Sequence, residues 1–248
     1  VGHARCAGTS AETNHDRLPS ELDLAPDARY LHITTNNTIE GTQMHALPDT
    51  RGVPLVADAS SDIFGVDRDH SRFDVLYAGA QKNAGPAGVT MVVMRKSFLE
   101  SARTDLPPML SLAVQAAKKS LYNTPPVFSI YVLTLVLRWI QAEGGIAAIA
   151  ERNRRKAERI YGALDSAISF WDPCVQVPGD RSWMNITFRL RNPDLQKEFL
   201  AEAAAAGMDG LPGHRNVGGL RASIYNAFPE EGCDALAELI TDFARRKG

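Results

Sequence analysis

The chain has 248 residues, 44% hydrophobic and 23% charged, an ordinary globular composition that can bury a core without disulfides or metals. Its formal net charge of −2 excludes a global basic field for nucleic acid, so any anion site must be a local cluster of Arg, Lys and backbone N–H groups. Cys6, Cys174 and Cys233 are odd in number and form no CxxC pair; this argues against a disulfide framework or a zinc site and fits a reducing compartment, the cytoplasm.

In chain order, the start Val1-Gly2-His3-Ala4-Arg5-Cys6 lacks the apolar stretch of a signal peptide, and a first residue other than Met suggests a fragment or a processed product. The first ~25 residues are polar and aperiodic, which predicts a loop or a poorly tied terminus. Tyr30 to Thr34 reads as a strand, followed by an Asn36-Asn37-Thr38 turn. Pro54 to Asp58 is a short apolar run ending in an acid, the pattern of a buried parallel strand with a functional group at its C-terminal end. Phe73 to Ala78 and Val89 to Met94 read as two further strands. Pro125-Pro126 opens a long apolar helix through Ile140, too short to span a membrane and interrupted by Arg138. Gly144-Gly145 ends that helix, and Ile146 to Ala167 reads as a charged amphipathic one.

Beyond this point the rhythm changes. Trp183 to Leu190 alternates like a half-buried strand, and Pro193 to Ala206 is helical, with Pro at its start and Gly207 after its end. Leu220 to Tyr225 is a strand candidate, and Pro229 to Arg246 a closing helix. These elements predict an α/β domain over residues 1–144 and a smaller α+β domain over 145–248.

The informative segment is Tyr77-Ala78-Gly79-Ala80-Gln81-Lys82-Asn83-Ala84-Gly85-Pro86-Ala87-Gly88. A Lys among small residues, just past a buried strand, is open to partial desolvation, which lowers an amine pKa as a Schiff-base lysine requires. By itself the segment is equally compatible with a surface Lys on a tight loop. Asp58, at another strand end, supplies the carboxylate that pyridoxal 5'-phosphate (PLP) needs against its ring nitrogen; alone, it reads more simply as an N-cap for Ser60-Ser61-Asp62. No P-loop, no GxGxxG after a strand and no HxxxH spacing is present, which leaves nucleotide binding and metal hydrolysis without a motif.

Taken together, Leu55 to Ile63, Tyr77 to Thr90, Leu121-Tyr122-Asn123-Thr124-Pro125-Pro126, and Gly213-His214-Arg215 with Gly218 to Ala227 resemble, in order, blocks of the phosphoserine aminotransferase family. The resemblance implies PLP-dependent fold type I: a mostly parallel large-domain sheet, incomplete here, with a small C-terminal domain. It implies that Lys82 forms the Schiff base and moves a proton, that Asp58 pairs with the pyridinium nitrogen, that Thr38 bonds the phenolic oxygen and that Gln81 contacts the cofactor phosphate. Asn123 and Thr124 would reach the partner subunit's cofactor, so the implied assembly is a homodimer with shared active sites. His214 and Arg215 would take a substrate phosphate and Arg221 an α-carboxylate, roles that suit imidazole and guanidinium donors. Without the family blocks, these three would read as an exposed basic loop.

Two departures accompany the resemblance. Asn37 stands where the family usually has Glu. The family's N-terminal portion, with a Gly-Arg loop, a ring-stacking aromatic and a His-Arg pair, is not represented, and Trp139, Trp171 and Trp183 are placed on a helix, a connection and a small-domain strand where none substitutes for that aromatic. The implied activity is transamination between L-phosphoserine or 3-phosphohydroxypyruvate and glutamate or 2-oxoglutarate in serine biosynthesis. The alternatives are a related aminotransferase for another small acidic amino acid, and a truncated homologue of little or no activity.

Overall fold

A computed structural model describes residues 2–248. The first sheet has the order β1-β2-β3-β4, with β1 (Leu31–Thr34), β2 (Leu55–Asp58) and β3 (Val75–Gly79) parallel and β4 (Thr90–Met94) antiparallel to β3. Its register sets Leu31 and Ile33 against Leu55 and Ala57, so aliphatic side chains share one face, and the opposite face carries His32, Thr34, Asp58 and Tyr77. Because the first three strands are parallel, the loops after Thr34, Asp58 and Gly79 emerge together at one edge, where open α/β sheets place ligands.

After β4 come two short helices that lack any sequence periodicity, α1 (Lys96–Glu100) and α2 (Leu112–Ala117). The long helix α3 spans Val127–Ala142. Gly144 and Gly145, both with positive φ, turn the chain by 82° into α4 (Gly145–Ser166). Among the described residues, no single helix is long and apolar enough to cross a membrane.

The second sheet is antiparallel, with the order β5 (Trp171–Pro173), β6 (Asn185–Leu190), β7 (Leu220–Ser223). Trp171, read from sequence as part of a connection, is the first residue of β5, and its fully buried ring is the centre of the second core. Helix α4, α5 (Gln196–Ala205) and α6 (Glu230–Lys247) supply that core with Ile160, Leu164, Phe199, Ile240 and Phe243. Pairing Thr187 with Arg221 and Asn185 with Ser223 puts these polar side chains on the face opposite Ile186, Phe188 and Ala222.

The N-terminal segment forms only a short 3-10 turn at Ala11–Thr13, but it is not loose. Leu18 N–H donates to Asp180 Oδ2 at 2.9 Å and Gln176 N–H to Asp16 O at 2.9 Å, which tie it to the segment between β5 and β6. Of the two expectations for this stretch, the loop holds and the poorly tied terminus is corrected: distant backbone partners order a stretch with no local pattern of its own.

Candidate active site

Three loops at the carboxyl edge of the first sheet converge. Lys82 Nζ donates to Thr38 Oγ1 at 2.7 Å. Lys82 is half-buried, and burial lowers its amine pKa; Asp58 opposes that shift and Arg221 adds to it. Arg221 reaches the same point from β7, where its Nη1 donates to the Thr38 carbonyl at 3.2 Å. Its Nε is buried and has no protein partner, a donor left for a ligand.

Asp58 Oδ1 accepts the Ser60 N–H at 2.8 Å, but residues 60–65 form a turn and no helix follows, so the N-cap read from sequence is corrected to an Asx turn; it uses one oxygen and leaves Oδ2 without a protein donor among the described residues. Tyr77, opposite Asp58 in register, hydrogen-bonds His32 Nε2 at 2.9 Å, and burial, with Asp58 second, raises its phenol pKa.

A buried polar frame fixes these loops. Asp62, fully buried, accepts Arg68 Nη2 at 2.6 Å, Gln43 Nε2 at 3.0 Å and the Thr35 hydroxyl. Asn36 donates to Ser61 Oγ at 2.9 Å and to Asn185 Oδ1 at 2.8 Å, which joins the first sheet's loops to β6 of the second sheet close to Thr38. Asn37 Oδ1 accepts the N–H groups of Ile39 and Glu40 and so shapes the Thr38 turn. Gly41 closes that turn at φ 91°; a Cβ there would lie 2.6 Å from Thr187 Oγ1.

The sequence-predicted anion ligands are divided. His214 and Arg221 line a common cavity of about 170 Å³ with Arg189, Glu40 and Cys174. Arg215 is exposed and does not line it. The loop that carries them doubles back tightly, and a Cβ on Gly213 would sit 2.0 Å from Gly218 O. Gln81 is exposed, with its amide folded over Gly79. Asn123 and Thr124 are exposed and do not line the Lys82 cleft.

That cleft, about 630 Å³, is walled by Trp139, Leu135 and Val136 of α3 and by Ser223, Tyr225 and Phe228. Trp139, on the helix where the sequence placed it, lines this cleft. Trp171 lies in the second core, and Trp183 packs on His45 at 4.4 Å between ring centroids. The i, i+1, i+4 spacing of Leu135, Val136 and Trp139, which puts them on one helical face, is the sequence signal for this wall, hidden within an apolar run that reads only as core. Among the described residues no His, Cys, Asp and Glu cluster could hold a metal ion.

The class-V aminotransferase profile matches residues 8–236. The phosphoserine aminotransferase of Herpetosiphon aurantiacus is 51% identical over 250 residues, which cover 100% of this chain and 69% of the relative. The chain belongs to the phosphoserine aminotransferase family. A solved phosphoserine aminotransferase from Bacillus circulans subsp. alkalophilus superposes with a TM-score of 0.95 at 47% identity, again over 100% of this chain and 69% of that one. Another phosphoserine aminotransferase, solved in a study of radiation damage to its Schiff base, superposes with a TM-score of 0.93 at 46% identity, covering 97% and 67% of the two chains. The chain thus spans about two thirds of the length of these relatives.

Membership of the family makes pyridoxal 5'-phosphate the cofactor, and the residues fit it. A half-buried amine with only a hydroxyl partner, a carboxylate with one free oxygen and an arginine with an unpartnered donor lie close together: Lys82 and Arg221 both bond Thr38, and Asp58 is within electrostatic reach of Lys82.

Proposed function

We propose that this chain, with PLP, transfers the amino group of glutamate to 3-phosphohydroxypyruvate, giving 2-oxoglutarate and L-phosphoserine in the serine-biosynthetic direction, and catalyses the reverse. The observation that carries the reading is the convergence of Lys82, Thr38 and Asp58, from three strand ends of the first sheet, with Arg221 from β7 of the second. When bound, PLP supplies an electron sink for the Cα–H bond of the amino acid.

In this reading Lys82 holds the cofactor covalently and moves a proton at the substrate Cα, a task for which a lowered amine pKa suits it. Asp58 offers its free oxygen to the ring nitrogen, Thr38 its hydroxyl to the phenolic oxygen, and Gln81 its amide to the cofactor phosphate. Arg221 takes the α-carboxylate, while His214 and Arg215 take the distal phosphate or carboxylate; a planar guanidinium matches either anion bidentately.

A homodimer with shared active sites and a cytoplasmic location belong to the same proposal. Leu121, Tyr122, Val127, Phe128 and Tyr131 are exposed around Asn123 and Thr124 and give a second copy an apolar surface beside the two residues assigned to the partner's cofactor. Three cysteines without a disulfide support the location.

The first test is the visible spectrum of the protein with PLP. A borohydride-reducible band that Lys82→Ala abolishes and that L-phosphoserine converts supports the reading, and a band indifferent to L-phosphoserine refutes the substrate. Arg215→Ala should weaken L-phosphoserine far more than glutamate; equal losses favour an aminotransferase for another small acidic amino acid.

A further inference from the structure

Lys156 is fully buried, with no carboxylate in ion-pair range among the described residues. Its ammonium donates to three backbone carbonyls: Ile224 O at 3.0 Å, Tyr225 O at 2.8 Å and Phe228 O at 3.1 Å. The charged groups that face it are Arg152 on its own helix, and Glu230 and the Cys233 thiol on α6. Glu230 is already committed, to Arg155 at 2.7 Å and Arg159 at 3.3 Å. A lysine desolvated without a counter-ion is retained at a cost, and three strong acceptors are what offset it here.

Those carbonyls belong to the segment that links β7 to α6, and the same segment walls the Lys82 cleft through Tyr225 and Phe228. Its docking continues to the lysine loop. Asn226 N–H donates to Asn83 Oδ1 at 3.0 Å, beside Lys82, and Asn83 Nδ2 donates to Ser61 O at 3.0 Å, on the turn that follows Asp58. Asn153, one turn before Lys156 on the same buried face of α4, donates to Asn226 Oδ1 at 2.8 Å and to Gly65 O at 3.1 Å. Helix α4 thus presents two polar side chains at i, i+3, and both hold this one segment.

We propose that Lys156 is a positioning residue for the amino-transfer site: its buried ammonium folds Ile224–Phe228 into the wall that shields the Lys82 amine. Its consequence for turnover rests on the reading of Lys82 as the cofactor lysine; its structural content does not. Without the ammonium, three carbonyls must find water, and the segment can reach it only by leaving the cleft.

The experiment is competitive acetylation of the cofactor-free protein across a pH series, with the Lys82 peptide quantified by mass spectrometry in the wild type, Lys156→Met and Lys156→Gln. The expected result is that both variants, checked as folded by circular dichroism, move the Lys82 titration upward toward that of an ordinary lysine. In the PLP-loaded protein, kcat should then fall by roughly tenfold to a hundredfold, the scale of a small misplacement, while KM for L-phosphoserine holds, because Arg221 and His214 are untouched. A folded variant with an unchanged Lys82 titration overturns the proposal. If neither variant folds, Asn226→Ala takes their place, since it cuts the segment from Asn153 and from Ile63 O and leaves Lys156 its carbonyls; an unchanged Lys82 titration there overturns the claim that this segment shields the amine, and the proposal with it. Because the labelling needs no cofactor, failure of this proposal is distinguishable from failure of the Lys82 assignment, which Lys82→Ala and the visible band decide.

Discussion

The two sheets solve different problems. The three-stranded sheet is closed on its helical side: Trp171, Phe188, Phe199 and Phe243 are all fully buried and meet edge to face, with Trp171 at 5.0 Å from Phe199 and 5.6 Å from Phe188. The four-stranded sheet buries Leu55, Ala57 and Ala78, yet Val93 on β4 is 67% exposed and Phe128 on the neighbouring α3 74%. Apolar packing therefore sets the stability of the second sheet and its helices. At the site end of the first sheet, a lattice of hydrogen bonds through Asn36, Asp62, Asn83 and Asn226 sets the geometry. The site lies where the polar faces of the two sheets oppose each other, and side chains held by polar contacts have fewer alternative arrangements than side chains in an apolar groove.

The sharpest way to test this division is to remove its centre. Trp171→Ala deletes the indole at the middle of the aromatic cluster together with the bond from Nε1 to Ile240 O at 3.2 Å. A loss of about 3–5 kcal/mol is expected from transfer and cavity terms, read as a drop in denaturant midpoint at unchanged slope. A loss under about 1 kcal/mol would mean that the second core does not carry the fold's stability.

A smaller effect should appear in the dependence of stability on pH. Burial lowers Lys156 to about 8, against an ordinary lysine value of 10.5, so between these values the unfolded chain binds more protons than the folded one. Stability from this group therefore rises as pH increases from about 8 toward 10.5 and is lost as pH falls back through that window; Lys82, also lowered, acts in the same direction. Cys233, raised by burial from 9.0 to about 11, and Tyr161, also raised by burial, act the other way at higher pH. The expected profile is a rise between pH 8 and 9 and a levelling above it. Chemical unfolding at half-unit steps measures it, and Lys156→Met should flatten the rise; a wild-type curve that falls from pH 8 to 9 contradicts the assignment.

The same contrast explains what was legible in the sequence. The alternation Met184, Ile186, Phe188, Leu190 announced β6 because one face of that sheet is wholly apolar, and all four are buried as read. Strand β5 was not legible: three residues ending in Pro173 carry no period, and Trp171 is buried by partners at positions 199 and 243 that lie far away in sequence. Lys82 and Asp58 could be read because each ends an apolar run, whereas the contact of Lys82 with Thr38 depends on parallel strand order, which no local pattern encodes. Lys156 was invisible for a related reason. In the charged run Glu151-Arg152-Asn153-Arg154-Arg155-Lys156 it looks like one more solvated cation, and only the packing of α4 against the end of β7 turns it inward.

Strand β4 offers the mildest test and the one that best separates the two sheets. Val93 pairs in register with Leu76, which is 6% exposed, yet its own side chain is mostly in water. Val93→Thr keeps the β-branched shape that suits a strand and removes one methyl from a position that buries little. In the isolated chain the expected change in stability is within about 0.5 kcal/mol, as for surface substitutions away from caps, networks and cores. The equivalent change at Phe188, its counterpart on the middle strand of the other sheet, strikes a fully buried ring and belongs with the Trp171 class of losses. A loss above about 1.5 kcal/mol for Val93→Thr would show that β4 is covered in solution. A dose-dependent loss, larger at high protein concentration than at low, would identify the cover as a second copy of the chain.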